Sequence, residues 1–334
     1  MGEKSPIFKI MCLYPKLIKN PKYKATKKNN YQAPLIKDDN GNWLIDPRTL
    51  YVPIGCGNCI ECRKQKARQW QVRLNEQAKI QKYKYCLTLT FSCEELENLC
   101  KTYKLKECNA VVTKAMRLFL ERWRKKYKKS LCHWFTTELG HENTERIHLH
   151  GIIFSDNEIN IDELANYWKY GNIKLGDWYG LKTINYLIKY VHKIDTDHKD
   201  YMPIVLCSKG IGANYVNSHL YKKIHKFDNN TIEYYRLENG TKINLPIYYR
   251  NKLWTEEQRE QLWLRRLDKH ERFVCGIKIS NIDTPEGEKK YLSILKTQQK
   301  MNKLLGFGDD SKEWQKRDYN VTLRMLNKIR KKDK

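Results

Sequence analysis

The runs LCHWFTTEL (residues 131–139) and RIHLHGIIF (residues 146–154) decide the fold of this chain. Both are rich in β-branched and aromatic residues, and the polar run GHENTE separates them, which predicts a β-hairpin. Because side chains alternate between the two faces of a strand, His148 and His150 lie on the same face. We therefore predict a pair of imidazoles on one side of a sheet.

Strand and helix patterns surround this hairpin. Upstream, KYCLTLTF (residues 84–91) alternates Leu and Phe with Thr, which predicts a strand. Residues 62–82 and 112–129 predict helices, and NIDELANYWKY, GNIKLG and LKTINYLIKYVHK downstream predict a helix, a short strand and a second helix. This order predicts an α+β fold with a central antiparallel β-sheet flanked by helices.

The sequence pattern of strands and helices differs before and after residues 63–200. Residues 1–62 are irregular and carry a Cys cluster, residues 63–200 carry the sheet and its helices, and residues 201–334 form a C-terminal α/β extension. We expect the extension to have a DNA-binding or structural role. Within it, TIEYYRL and TKINLPIYY predict a hairpin that turns at Asn239-Gly240.

Glu138 adds a third metal ligand to the predicted hairpin. If it pairs opposite His148, its carboxylate lies on the same face as both imidazoles, whereas a one-residue slip in register sends it to the other face. An oxygen ligand beside two imidazoles suits Mg²⁺ or Mn²⁺. His141, in the loop, is a reserve ligand, and without a metal the two histidines are a surface pair.

The composition indicates a polyanionic partner. The 334 residues include 64 Lys and Arg against 38 Asp and Glu, a formal net charge of +26. Neutralised phosphates release counterions, so nucleic acid is the first candidate partner, although many of these lysines could simply be solvated. We expect no membrane partner and a cytoplasmic location, because the chain shows neither an 18-residue apolar run nor a signal peptide.

The helix LKTINYLIKYVHK carries a pair of tyrosines. Its apolar stripe leaves Tyr186, Lys189, Tyr190 and Lys193 on the opposite face. A tyrosine pair at this spacing is often only packing. After a strand with two histidines, and beside lysines, it is a candidate nucleophile set.

The run CGNCIEC places Cys56, Cys59 and Cys62 at regular spacing. Together with Cys12 they would complete a tetrahedral structural Zn²⁺ site. An iron–sulfur cluster and three unligated thiols are the alternatives. With no export signal, a disulfide framework is not expected.

These motifs resemble a known family. LTLTF, then ELG and RIHLHGIIF, then INYLIKYVHK resemble, in order and spacing, the three motifs of HUH endonucleases, which initiate rolling-circle replication. MCLYPK, PIGCGNCIECRKQKARQWQVR, SKGIGANY and LPIYYRNKLW are similar to the replication initiation proteins of small single-stranded DNA phages of the microvirus family, gokushovirus-like branch. The matches run from Met11 to about Trp254.

The resemblance implies an RRM-like palm and a metal-dependent nickase and strand transferase. Tyr186 or Tyr190 would attack a phosphodiester at the replication origin, giving a 5′-phosphotyrosine and a free 3′-OH, and the other tyrosine would later rejoin the ends. Lys189 would assist the nucleophile, and a metal on His148, His150 and Glu138 would bind the phosphate. Helicase activity would come from the host, because no GxxxxGK[ST] phosphate loop occurs in the chain, and a host polymerase is the expected partner for synthesis.

Single-stranded DNA and origin DNA are the expected partners. The candidate DNA contacts are Lys193, Arg63, Arg122 and Arg124, with the basic C-terminal residues 321–334. Each could instead belong to a solvated charged face. The alternatives to the phage initiator are a relaxase or transposase with the same HUH chemistry and a noncatalytic zinc-containing nucleic-acid-binding protein.

Overall fold

The computed structural model describes residues 12–140, 145–195 and 201–311. The chain divides into two compact units: unit 1 contains Met1–Gln65 and Thr255–Lys334, and unit 2 contains Lys66–Trp254. The functional boundaries expected from the sequence, after residues 62 and 200, remain a prediction.

Unit 2 is built around a five-stranded sheet in which every neighbouring pair is antiparallel. In chain order its strands are β3 (Tyr83–Leu89), β4 (Cys132–Leu139), β5 (Ile147–Ser155), β6 (Ile173–Gly176) and β7 (Val205–Cys207), after β1 and β2 of unit 1. Their spatial order is β6-β3-β5-β4-β7. The expected antiparallel sheet is confirmed, and the short edge strand β7 is an addition that the sequence analysis did not predict.

Helices cover both faces of this sheet. They are α1 (Ile60–Ile80), α2 (Cys93–Tyr103), α3 (Cys108–Tyr127), α4 (Ile161–Trp168) and α5 (Leu181–His192). Three shorter helices follow along the chain, α6 (Asn214–Asn217), α7 (His219–Ile224) and α8 (Ile247–Leu253). One core joins α3 and α4 to one sheet face, and a second joins α1 and α5 to the other. The expectation of a sheet flanked by helices is therefore confirmed.

Local chemistry explains where several elements begin. The Asn160 side chain accepts hydrogen bonds from the first-turn amides of α4 and so caps it, and Asp162 and Glu163 complement the positive end of the helix dipole. The predicted hairpin at Asn239-Gly240 is present as β8 (Tyr234–Arg236) and β9 (Lys242–Asn244). Gly240 has a φ of +80°, a conformation that favours glycine.

Unit 1 joins the two ends of the described chain. Its elements are β1 (Lys16–Lys19), β2 (Tyr51–Ile54), α9 (Glu256–Leu267), β10 (Arg272–Val274), β11 (Ile277–Ile279) and α10 (Pro285–Leu304). The strands form two antiparallel pairs, β1 with β2 and β10 with β11. The N-terminal region was expected to be irregular, so the first pair is an addition to that expectation. Within the described residues, no helix is both long enough and apolar enough to cross a membrane.

Candidate functional site

The β4–β5 hairpin brings a glutamate and two histidines together. Its register pairs Glu138 with His148 and Thr136 with His150, so the three candidate ligands share one sheet face. Oε2 of Glu138 lies 3.2 Å from Nε2 of His148 and 3.0 Å from Nε2 of His150. The register on which the predicted third ligand depended is the one observed.

The second ring nitrogen of each histidine has its own partner. Nδ1 of His148 lies 3.2 Å from the carbonyl oxygen of Arg146, and Nδ1 of His150 lies 3.1 Å from Oγ1 of Thr88. A carbonyl oxygen can only accept, so the Nδ1 of His148 donates, and its neutral ring keeps a lone pair on Nε2. Histidines that bind metals are commonly held in this way.

These donor atoms fit a divalent cation. The carboxylate oxygen and both Nε2 atoms are acceptors when the rings are neutral, so their convergence favours a cation between them. Ligands placed in cis about 2.1 Å from one ion lie about 3.0 Å apart, close to the observed separations. The group Glu138, His148 and His150 could therefore bind a metal.

The charge of Glu138 is stabilised despite its partial burial. Burial alone would raise the pKa of this carboxyl, but the close contacts with the His148 and His150 rings and with Lys193 hold the pKa well below its usual range. Nζ of Lys193 lies 3.3 Å from Oε1 of Glu138. The carboxylate is therefore charged at neutral pH.

Helix α5 brings both candidate tyrosines to the same site. Ile184 and Leu187 are buried against the sheet, which leaves Tyr186 half exposed on the other side of the helix. The hydroxyls of Tyr186 and Tyr190 lie 2.5 Å apart. The ring of Tyr190 stacks on His150 with ring centroids 4.4 Å apart.

The two lysines on this helix differ in their contacts. Lys193 follows the last helical residue of α5 and reaches Glu138. Lys189 is exposed, and its side chain makes no hydrogen bond or ion pair with any residue that the structure describes. Burial, and then the hydrogen bond with Tyr186, raise the pKa of Tyr190 above its usual value. This tyrosine needs help to lose its proton.

Several neighbours of the site were not found from the sequence. A shallow cleft beside Glu138 is lined by Thr137, Glu138, Tyr190, Lys193, Asp195, Tyr201 and Pro203. Thr88 lies within the quoted LTLTF run, but only the pairing of β3 with β5 shows that it faces His150. The reserve ligand His141 lies outside the described residues.

The four cysteines of unit 1 also converge. Cys12, Cys56, Cys59 and Cys62 place their sulfurs within 4.8 Å of one another and could bind a metal. Sulfurs about 2.3 Å from a tetrahedral ion are about 3.8 Å apart, and the Cys12–Cys59 and Cys56–Cys62 pairs measure 3.9 and 4.0 Å. Hydrogen bonds from the other three cysteines, Cys12 first, lower the pKa of Cys59, which favours its thiolate.

The arginines expected to contact DNA are placed differently from one another. Arg63 is buried, with its guanidinium 5.9 Å from the ring centre of Phe307. Arg122 donates hydrogen bonds to the end of α4, whereas Arg124 is exposed on α3. Residues 321–334 lie outside the described residues.

Comparison with known proteins identifies the class that this chain resembles. A family model described as "Replication-associated protein ORF2/G2P" matches residues 84–195, which include the hairpin and α5. The chain is also 26% identical over 241 residues to the "Replication-associated protein VP4" of Bdellovibrio phage phiMH2K, covering 63% of this chain and 69% of that protein. No solved structure matches the chain significantly.

Proposed function

We propose that this protein initiates phage DNA replication by nicking and rejoining DNA through a tyrosine. The observation that supports this most directly is the pair of touching hydroxyls, Tyr186 and Tyr190, beside the ring of His150. The similarity to replication-associated proteins supports the same role. We assign the chemistry to the predicted domain of residues 63–200, which contains the matched region.

The proposed reaction is a transesterification. The hydroxyl oxygen of one tyrosine bonds to the phosphorus, the bond from phosphorus to the 3′ oxygen breaks, and that oxygen leaves with a proton as a free 3′-OH. The product is a 5′-phosphotyrosine, which conserves the energy of the phosphodiester. The second tyrosine then lies close enough to cut the regenerated origin. The 3′-OH released by that cut attacks the first phosphotyrosine, which frees the first tyrosine and rejoins the ends without ATP.

Glu138, His148 and His150 would hold a divalent metal, which when bound would offset negative charge on the scissile phosphate. We propose Mg²⁺ or Mn²⁺, because an oxygen ligand with two imidazoles leaves room for water and phosphate oxygens. Lys193 adds positive charge at the same carboxylate. Lys189, exposed between the tyrosines, is free to approach the incoming phosphate and assist the nucleophile.

The four cysteines suit a structural Zn²⁺ ion. Four thiolates in tetrahedral arrangement are the donor set of closed zinc sites, which support a fold rather than catalysis. Cys59 is fully buried, and its neighbours in the core of unit 1 include Val274 and Ile279. Zinc here would therefore hold the N-terminal segment against the last strands.

The proposed partners are single-stranded DNA and replication-origin DNA. Host helicase and polymerase would supply unwinding and synthesis in the host cytoplasm. A relaxase or transposase would use the same residues and differ in the DNA site recognised.

The test is a covalent adduct between protein and DNA. Wild-type protein with Mn²⁺ and single-stranded DNA carrying the phage origin should give an adduct that survives SDS. The Tyr186→Phe, Tyr190→Phe double variant and chelation should both abolish it, while Tyr179→Phe, another exposed tyrosine, should not. An adduct that persists in the double variant would refute the assignment, and DNA binding without any adduct would favour the noncatalytic alternative.

A further inference from the structure

Arg73 on helix α1 is clamped between two aromatic rings. Its guanidinium carbon lies 4.4 Å from the ring centre of Trp70 and 4.2 Å from that of Tyr248. Nε donates a 3.0 Å hydrogen bond to the carbonyl oxygen of Ile211. The stack and this bond fix the plane of the guanidinium.

The outer part of this guanidinium has no hydrogen-bonding partner among the described residues. Within the described residues, Nη1 and Nη2 of Arg73 make no hydrogen bond and no carboxylate pairs with them, yet neither atom is fully buried. Burial of the rest of the side chain lowers the pKa of Arg73 below its usual value. A partly desolvated cation without a carboxylate partner is costly, so a stacked arginine held in this state favours an anionic ligand.

The location connects Arg73 with the tyrosine helix. Helices α1 and α5 pack on the same sheet face, and Nε2 of Gln71 donates a 2.7 Å hydrogen bond to Oδ1 of Asn185. Asn185 precedes Tyr186 in the chain. Arg73 is two residues after Gln71 and so lies on the other side of α1, and a nucleic-acid strand held at Tyr186 would have to pass over that helix to reach it.

We propose that Arg73 binds a phosphodiester group of DNA through Nη1 and Nη2. A fixed planar fork matches two oxygens of one phosphate, and the +26 charge of the chain attracts a polyanion. The choice of DNA as ligand rests on the proposed function. The site is separate from the reacting atoms, so it holds the strand and takes no part in bond breaking.

Binding of fluorescent DNA tests this site. Arg73→Met keeps an unbranched side chain between the rings, and Arg68→Met removes the same charge from an exposed, unstacked position on α1. In EDTA, we expect Arg73→Met to bind single-stranded DNA roughly tenfold more weakly than wild type. Its salt dependence should weaken by about 0.7 in slope. If Arg73→Met and Arg68→Met lose the same amount of DNA affinity, the proposal is overturned.

A second measurement uses the wild-type protein, so it does not depend on the variant folding. An arginine-specific dicarbonyl should modify Arg73 in free protein, and bound DNA should shield it more strongly than Arg68. The experiment compares single-stranded with duplex DNA, and the form that protects Arg73 from the dicarbonyl is the one that supplies the phosphate. If neither form protects Arg73, the proposal is overturned. Because neither assay requires nicking, Arg73 can be shielded even if no tyrosine adduct forms, and the two proposals can fail separately.

Discussion

Tyr190 and His150 lie face to face, with ring centroids 4.4 Å apart and ring planes inclined by only 8°. The stack joins a candidate nucleophile on α5 to a candidate metal ligand on β5. It forms because the buried stripe of α5 packs on the sheet face from which His150 projects. The position of the tyrosine hydroxyl therefore depends on the orientation of the imidazole.

Thr88 is expected to act as a positioning residue for His150. Its hydroxyl lies 3.1 Å from Nδ1, where it can accept a hydrogen bond from the ring N–H and leave Nε2 free for metal. Thr88→Val keeps the shape of the side chain and should weaken Mn²⁺ binding by about 10- to 100-fold. Titration calorimetry measures this change, and saturating Mn²⁺ should restore most of the adduct.

A suitable control for this substitution is Thr113→Val, which removes a threonine hydroxyl that donates to a backbone carbonyl within α3. It should leave Mn²⁺ affinity unchanged. If Thr88→Val binds Mn²⁺ as tightly as wild type, the orienting contact is unimportant.

Gly151 is expected to be irreplaceable at the centre of the hairpin. A Cβ at this position would lie 2.2 Å from the carbonyl oxygen of Trp134 and 2.3 Å from the ring of Phe135. Gly151→Ala should therefore destabilise the protein by about 1–3 kcal/mol, as overpacking does. Gly176→Ala in β6 meets no atom closer than 3.7 Å and is the control.

Urea unfolding followed by circular dichroism measures both glycine variants. Equal midpoints for Gly151→Ala and Gly176→Ala would show that the hairpin relaxes around the added methyl group. Because His150 and Ile152 flank Gly151, a disturbed hairpin should also reduce adduct formation.

Much of the sheet and the candidate site could be predicted from sequence, because alternation is local. The alternation in RIHLHGIIF sets the faces of β5, and the spacing in LKTINYLIKYVHK sets the buried stripe of α5. The three-residue strand β7 is too short to show a pattern and depends on pairing with β4. The contacts of Thr88 and Arg73 are long-range, so only the folded structure shows them.

The cysteine cluster is expected to need its metal for stability. Cys59→Ser removes a fully buried sulfur, should lose bound zinc and should destabilise the protein by more than about 4 kcal/mol, a size associated with metal loss. Mass spectrometry of the native protein measures zinc, and thermal unfolding measures stability. Cys93→Ser, at an exposed thiol, should change neither. Full zinc content in Cys59→Ser would rule out this ligand.

His225 should make the stability of the protein sensitive to mild acid. Its side chain is buried, the hydroxyl of Tyr215 lies 2.7 Å from Nε2, and Nδ1 lies 2.6 Å from the carbonyl oxygen of Ile232. Burial lowers the pKa of His225 below 6.5, although the bond to Ile232 opposes this. Below that pH, His225 is protonated in the unfolded chain but stays neutral in the folded chain. The free energy of unfolding should therefore fall as the pH falls from about 6.5.

Urea midpoints at pH 7.5 and pH 5 measure this effect of His225. His225→Asn should be less stable than wild type at pH 7.5 but should lose less stability on acidification, because one buried titrating group is gone. Some loss should remain, since burial also lowers the pKa of His133. His219→Asn, at an exposed histidine, should keep the wild-type difference between the two pH values. If His225→Asn shows the same difference between its urea midpoints at pH 7.5 and pH 5 as wild type, the acid sensitivity comes from other groups.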